Sequence, residues 1–237
     1  WRGVLEAMGQ AFFTLSIGMG AIMAYGAYMP QDANIGKTVL IVAFFDSAVA
    51  VISGLIIFSI VFATPGIEPS AGPGLMFISL PVAFGSIPGG LLIGAVFFIL
   101  VSIAAWSSAI SLLEPCVAWL IELKNISRVK ANLVIILLTW FLGLGSVLSF
   151  NIWSDYTLLG FNYFDFLDFL TANIMLPISG FLITIFVAYA INSEIVEFEM
   201  RGTPSKTLRL WEMAIRYIAP FSILLVFSMG VYDKFFS

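Results

Sequence analysis

The sequence predicts an all-α, polytopic helical membrane protein, and three observations carry that prediction. Hydrophobic residues make up 61% of the 237 positions, and the mean hydropathy is +1.07. Charged residues make up only 10%, against about 25% in a soluble domain. Apolar runs of about 20 residues, enough to cross a bilayer at about 1.5 Å per residue, recur along the whole chain.

Six spans are expected, at about 10–29, 38–62, 91–113, 131–150, 167–191 and 213–231, in one transmembrane domain covering 1–237. The first is the most informative. Gly9–Tyr28 is long and apolar, yet its middle holds Thr14, Ser16, Gly18 and Gly20, which weaken a helix where lipid demands a continuous one. Backbone groups freed inside a membrane need partners in protein, water or ligand, so the interruption points to a binding site. Small residues also let neighbouring helices approach, and from this stretch alone helix packing is the simpler account of them.

The second span carries Asp46 in F-F-D-S-A-V-A-V-I-S-G, with no Lys or Arg inside any of the six apolar cores. A mid-bilayer carboxylate costs at least about 2.5 kcal/mol. It therefore takes a cation from outside the chain, is protonated, or binds a metal ion, for which Thr14 and Asp46 offer hard oxygens. The segment 63–90 is rich in Pro and Gly and too short in its apolar part to span, so a hairpin folded back over the membrane surface is expected. The third span places Ser107 and Ser108 side by side, a pattern that helical serines also show when they bond their own upstream carbonyls. Glu114 precedes Pro115 at its inner end, where it snorkels or pairs with a base. The fourth and sixth spans read as scaffold. Asp168 opens the fifth, where a helix dipole favours a carboxylate.

Eight of the ten basic residues fall on one face: Lys37; Lys124, Arg128 and Lys130; Arg201, Lys206 and Arg209 on the connections, and Arg216 just inside the last span near the same face. Arg2 and Lys234 lie on the other face with Glu68, Asp155, Asp165 and Asp168. That asymmetry predicts an extracytoplasmic Trp1 and Ser237. A net charge of −4 and no aromatic-interleaved basic patch argue against nucleic acid as a partner. No histidine is present, which removes imidazole relays and imidazole metal sites, and the lone Cys116 allows no intrachain disulfide. With no paired carboxylates at one depth, an intramembrane enzyme has little to work with.

Beyond these readings, several strings resemble the neurotransmitter:sodium symporter family of bacterial amino-acid transporters. Q-A-F-F-T-L-S-I-G-M-G is similar to the family's sixth helix, G-P-G-L-M-F-I-S-L-P to its long extracellular loop, and A-A-W-S-S-A-I-S-L-L-E-P to its eighth helix. The resemblance covers essentially the whole chain. It implies the second part of a leucine-transporter-type inverted-repeat fold, helices six to eleven, with five earlier helices outside this chain. It implies sodium-coupled symport of a hydrophobic L-amino acid by alternating access in the plasma membrane, with this part alone inactive.

By that match Phe13, Thr14, Ser16, Met19, Ser108 and Leu112 contact substrate. Thr14 and Asp46 serve one sodium ion; Ala104, through its carbonyl, with Ser107 and Ser108 serves a second. Phe13 and Asp168 form the extracellular gate, Asp168 with an arginine of the absent first helix. Chloride-dependent relatives have a serine one turn beyond Asp46, where this chain has Ala50, so chloride independence is implied. The expected partners are a small-molecule amino acid, the lipid bilayer and the N-terminal helices of the same protein. A competing reading is a non-transporting membrane scaffold or channel subunit, which needs none of Thr14, Asp46, Ser107 and Ser108 together.

Overall fold

The computed structural model describes residues 2–30, 32–64 and 73–236. Glu68, and the side chains of Arg2 and Lys234, lie outside what it describes. Regular structure among the described residues is helical apart from one isolated bridge, Leu158 with Phe161. Among the described residues, five helical runs are long and apolar enough to cross a membrane: Ile35–Ala63, Gly90–Lys124, Arg128–Ser149, Tyr163–Ala190 and Ser205–Tyr232. Most of their large apolar side chains are exposed, as lipid-facing or partner-facing helices require.

The expected first span is not one helix. α1 (Arg2–Thr14) and α2 (Ala21–Ala27) are separated by an irregular turn. Three residues there have positive φ: Ser16 at 53°, Gly18 at 84° and Gly20 at 82°. Only glycine adopts such angles without strain, so the two glycines fix the break. The expected connector after Lys124 shrinks to three residues before α6 (Arg128–Ser149). The expected connector at 192–209 is itself helical, as α9 (Ser193–Glu199) and α10 (Ser205–Met213). Asn192 caps α9, its Oδ1 accepting from the Glu194 N–H at 3.1 Å.

The chain divides into two compact units. Val39–Ile110 contains most of α3 (Ile35–Ala63), a helical run Leu75–Gly85 ending in α4 (Leu80–Gly85), and the first part of α5 (Gly90–Lys124). The part of the expected 63–90 hairpin that is described is thus a single helical run and a turn. It folds onto the long helices through Val61, Leu80 and Phe84, with Phe97 and Phe98 packed around them. Gly90 makes the turn possible, since a Cβ there would sit 1.6 Å from the Phe84 carbonyl oxygen.

The other unit comprises residues 1–38 and 111–237. Its long axis is the run of α7 (Tyr163–Asp168), a π-helical stretch Phe169–Met175, α8 (Leu176–Ile185) and a second π stretch Phe186–Ala190. α11 (Ala219–Phe236) packs along α8, and α1 packs against both. Asn162 caps α7 by accepting from the Asp165 N–H at 2.8 Å. Tyr163 lies flat on α6 because Gly145 presents no side chain, where a Cβ would be 2.5 Å from the ring.

Candidate functional site

α1, the π stretch before α8, and α11 leave a cleft of about 540 Å³ between them. Each helix contributes one face. Glu6, Gln10 and Phe13 recur at helical spacing on α1; Asp168, Phe169, Asn173 and Leu176 line the second wall; Val226, Met229 and Gly230 line the third. The lining is mainly apolar and aromatic, with two carboxylates and two amides, a composition suited to a ligand with one large apolar part and a few polar anchors. Phe13 and Asp168, the two residues expected at the extracellular gate, line this cleft from different walls. Glu6, Gln10 and Asn173 were missed in the sequence, although the i, i+4, i+7 spacing of Glu6, Gln10 and Phe13 is a readable signal.

The break between α1 and α2 is not among the residues lining this cleft, but it packs against Leu176, which is. Gly18 packs so closely on α8 that a Cβ would stand 2.6 Å from the Leu176 carbonyl oxygen and 3.1 Å from the Gly180 nitrogen. Gly180 in turn admits the Phe12 ring, which a Cβ would meet at 2.8 Å. Thr14 ends α1, with Oγ1 donating to the Ala11 carbonyl at 3.4 Å. Ser16 and Met19 lie in the turn itself. The Met19 N–H reaches the Ser16 carbonyl at 3.3 Å, and the Ser16 N–H reaches Phe13 at 3.0 Å. These bonds to the carbonyl three residues back replace the regular helical ladder.

α2 is held against the α5 residues that follow Ile110. Gly20 abuts Pro115, whose ring carbon a Cβ would meet at 3.2 Å. Pro115 cannot donate to the Ser111 carbonyl, which weakens the α5 ladder at the same level. The Tyr25 and Ser111 hydroxyls hydrogen-bond each other. The Tyr28 hydroxyl donates to Glu114 Oε1 at 2.8 Å, and Arg128 Nη2 lies 2.6 Å from Glu114 Oε2. Glu114 thus pairs with a base rather than only snorkelling. Leu112, expected at the substrate, is an exposed residue of this same turn of α5.

The remaining sequence-predicted residues fall in the other unit. Asp46 sits half-buried on α3; Ala104, Ser107 and Ser108 are exposed on α5. The Ser107 hydroxyl donates to the Ala104 carbonyl at 2.8 Å. Both oxygens keep lone pairs after that bond, so the pair still presents two neutral oxygen ligands, the kind a hard cation takes. Among the described residues no three Asp, Glu or Cys side chains converge as a transition-metal cluster would.

Against known proteins, the profile of the Sodium:neurotransmitter symporter family matches residues 2–235. An uncharacterized sodium-dependent transporter of Haemophilus influenzae is 32% identical over 95% of this chain and 49% of its own length. Another, from Bacillus subtilis, is 33% identical over 95% of this chain and 51% of its own. The crystal structure of MhsT in complex with L-phenylalanine superposes with a TM-score of 0.88 at 41% identity, over 95% of this chain and 51% of that one. The chain spans about half the length of these relatives.

Proposed function

Since this chain belongs to the sodium:neurotransmitter symporter family, a family of transporters rather than enzymes, we propose that it supplies the broken-helix part of a sodium-coupled symporter for hydrophobic L-amino acids. The observation that carries this reading is the interruption of α1 and α2 at Ser16, Gly18 and Gly20, where Gly18 packs on Leu176, a residue of the cleft that Phe13 also lines. An unwound segment at membrane depth is tolerated where it faces a cavity, and it offers main-chain donors and acceptors to a zwitterion.

In this reading Phe13 covers the substrate, Ser16 contacts it through the backbone, and Met19 and Leu112 wall its side chain, with Ser108 beside it. A relative bound to L-phenylalanine supports an apolar substrate. Sodium ions travel as cargo, two per cycle. Asp46 supplies the one negative charge at the first ion with Thr14, and Ala104, Ser107 and Ser108 supply neutral oxygens to the second. Sodium held beside the substrate carboxylate raises affinity for it, and substrate raises affinity for sodium equally.

Alternating access follows if the contacts of α2 are made and broken in turn. Tyr25–Ser111 and Tyr28–Glu114–Arg128 tie α2 to the inner end of α5, while Phe13 and Asp168 stand at the outer cleft. The bias of basic residues to one set of connections supports a reading in which both ends of the chain are extracytoplasmic at the plasma membrane. The decisive experiment is uptake of radiolabelled amino acids into proteoliposomes by the full-length protein. Uptake driven by an inward sodium gradient is expected; uptake indifferent to sodium, or none, overturns the reading and favours a scaffold or channel role.

A further inference from the structure

α10 runs without interruption through a π-helical turn, Ala214–Ile218, into the apolar α11. One face of this run is fully exposed and unlike the rest. Lys206, Arg209, Met213 and Arg216 follow one another at spacings of three, four and three, with Leu210 and Tyr217 alongside; all six are exposed. That spacing keeps Lys206, Arg209 and Met213 on one face of α10, and Arg216 follows in the π turn. The acidic residue of the segment, Glu212, is half-buried, three residues after Arg209 and four before Arg216, and among the described residues it pairs with neither. Among the described residues no ion pair engages Lys206, Arg209 or Arg216. By contrast, Arg201 in the preceding turn is laid on the Phe198 ring, 4.6 Å from its centroid.

We propose that this stripe is a docking surface for the headgroup of an anionic phospholipid. The proposal rests on the reading that Ser205–Tyr232 crosses the bilayer, and not on transport. Charge complementarity names the occupant: three unpaired cations with three interleaved apolar side chains match a phosphate group with acyl chains below it. The geometry fits the depth. Lys206 to Arg216 covers about 15 Å of helix axis, more than the roughly 5–8 Å of headgroup layer on one side of a bilayer. Lys206 therefore stands in water, Arg209 at the phosphates, and Arg216 at the edge of the hydrocarbon. Helical side chains lean toward the helix N-terminus, which here is the watery end, so Arg216 reaches back to the phosphate level without changing the helix. The backbone at Arg216 is tied in as well, its carbonyl accepting from the Tyr189 hydroxyl at 3.4 Å. The glutamates of α9 belong to the helix before this one and do not share the stripe.

The test is native mass spectrometry of the full-length protein, delipidated in detergent and titrated with palmitoyl-oleoyl phosphatidylglycerol or phosphatidylcholine. Retention of phosphatidylglycerol well above phosphatidylcholine is expected. The triple change Lys206→Gln, Arg209→Gln, Arg216→Gln should weaken phosphatidylglycerol binding about a hundredfold, at roughly fivefold per cation. Lys206→Gln alone, at the exposed end of α10 where folding is not at issue, should cost about fivefold. The control pair Lys124→Gln, Lys130→Gln, on a different connection, should leave binding as it was. Equal retention of both lipids, full retention by the triple variant, equal loss in the control, or displacement by inorganic phosphate would each overturn the proposal. Loss of uptake with lipid retention intact bears on the transport reading alone.

Discussion

Gly18 stands against the carbonyl of Leu176 with no room for a methyl group: at φ 84°, a Cβ would lie 2.6 Å from that oxygen. The unwound turn is thereby locked to α8. An L residue in this left-handed conformation costs roughly 1–2 kcal/mol before any overlap is counted. Gly18→Ala is expected to abolish uptake and to lower thermal stability of the full-length protein. Gly26→Ala, at a helical glycine with nothing within 4 Å, should be neutral or slightly stabilising, by up to about 1 kcal/mol. Paired uptake and thermal-denaturation measurements check both; wild-type uptake by Gly18→Ala would detach the break from function.

Glu114 ties two elements at once, receiving Tyr28 from α2 on one oxygen and Arg128 from α6 on the other. The pair is partly exposed, so its value lies in positioning more than in stability. Glu114→Ala should free the C-terminal end of α2 while leaving the fold intact. In a Cys116→Ser background, a cysteine placed at Ser111 should then react severalfold faster with a membrane-impermeant maleimide. Glu114→Gln, which still accepts from Tyr28, should fall between the two. Unchanged reactivity in Glu114→Ala would show that the triad does not hold α2.

Much of this was legible in the chain before any coordinates. The glycines and hydroxyls in an otherwise membrane-spanning stretch announced a break between α1 and α2, because intrinsic helix propensity and the demands of lipid disagree there. The extension of α5 through Pro115 to Lys124 was not legible. A proline followed by mixed charges ends a hydropathy window, yet the helix continues because Glu114 finds Arg128 and Gly20 packs on Pro115. The cleft was legible only in part. Glu6, Gln10 and Phe13 share a face by spacing alone, but the face they meet depends on which helices neighbour α1, and periodicity does not choose neighbours. The π stretch Phe169–Met175, whose Phe169, Ala172 and Asn173 line the cleft beside α11, was likewise not legible, because hydrophobic periodicity does not distinguish a π turn from an α turn.

Asp46 supplies the strongest handle on ion coupling. If it is the charged ligand of one sodium ion, removing it should collapse the sodium-linked gain in substrate affinity, typically 5–150-fold for coupled sites, to near unity. Asp46→Ala is therefore expected to bind substrate with the same weak affinity in sodium and in choline. The same carboxylate makes a separate anion unnecessary, and Ala50, one turn later, offers no hydroxyl for one. Uptake should survive replacement of chloride by gluconate. Retained sodium dependence in Asp46→Ala, or chloride-dependent uptake in the parent, would refute the corresponding half of this account.

The substrate side chain is the last point at which the residues make a definite demand. Met19 is unbranched and adapts its shape more readily than an aromatic ring would, and Gly18 and Gly20 on either side let the turn yield. In the proposed pocket Leu112 would add an apolar wall, and none of Phe13, Ser16, Met19, Ser108 and Leu112 carries a charge. A charged side chain placed there would be desolvated without a partner, at a cost of several kcal/mol. Apolar pockets also discriminate weakly among apolar ligands, one methylene being worth about 1–3 kcal/mol. A competition panel against labelled leucine should therefore rank phenylalanine, tryptophan, leucine and methionine within about two orders of magnitude of one another, with lysine, glutamate and glycine far behind. Met19→Phe should narrow the panel by selectively weakening tryptophan, because a rigid ring takes the space that the thioether can vacate. Displacement by lysine or glutamate as strong as by leucine would rule out the uncharged pocket.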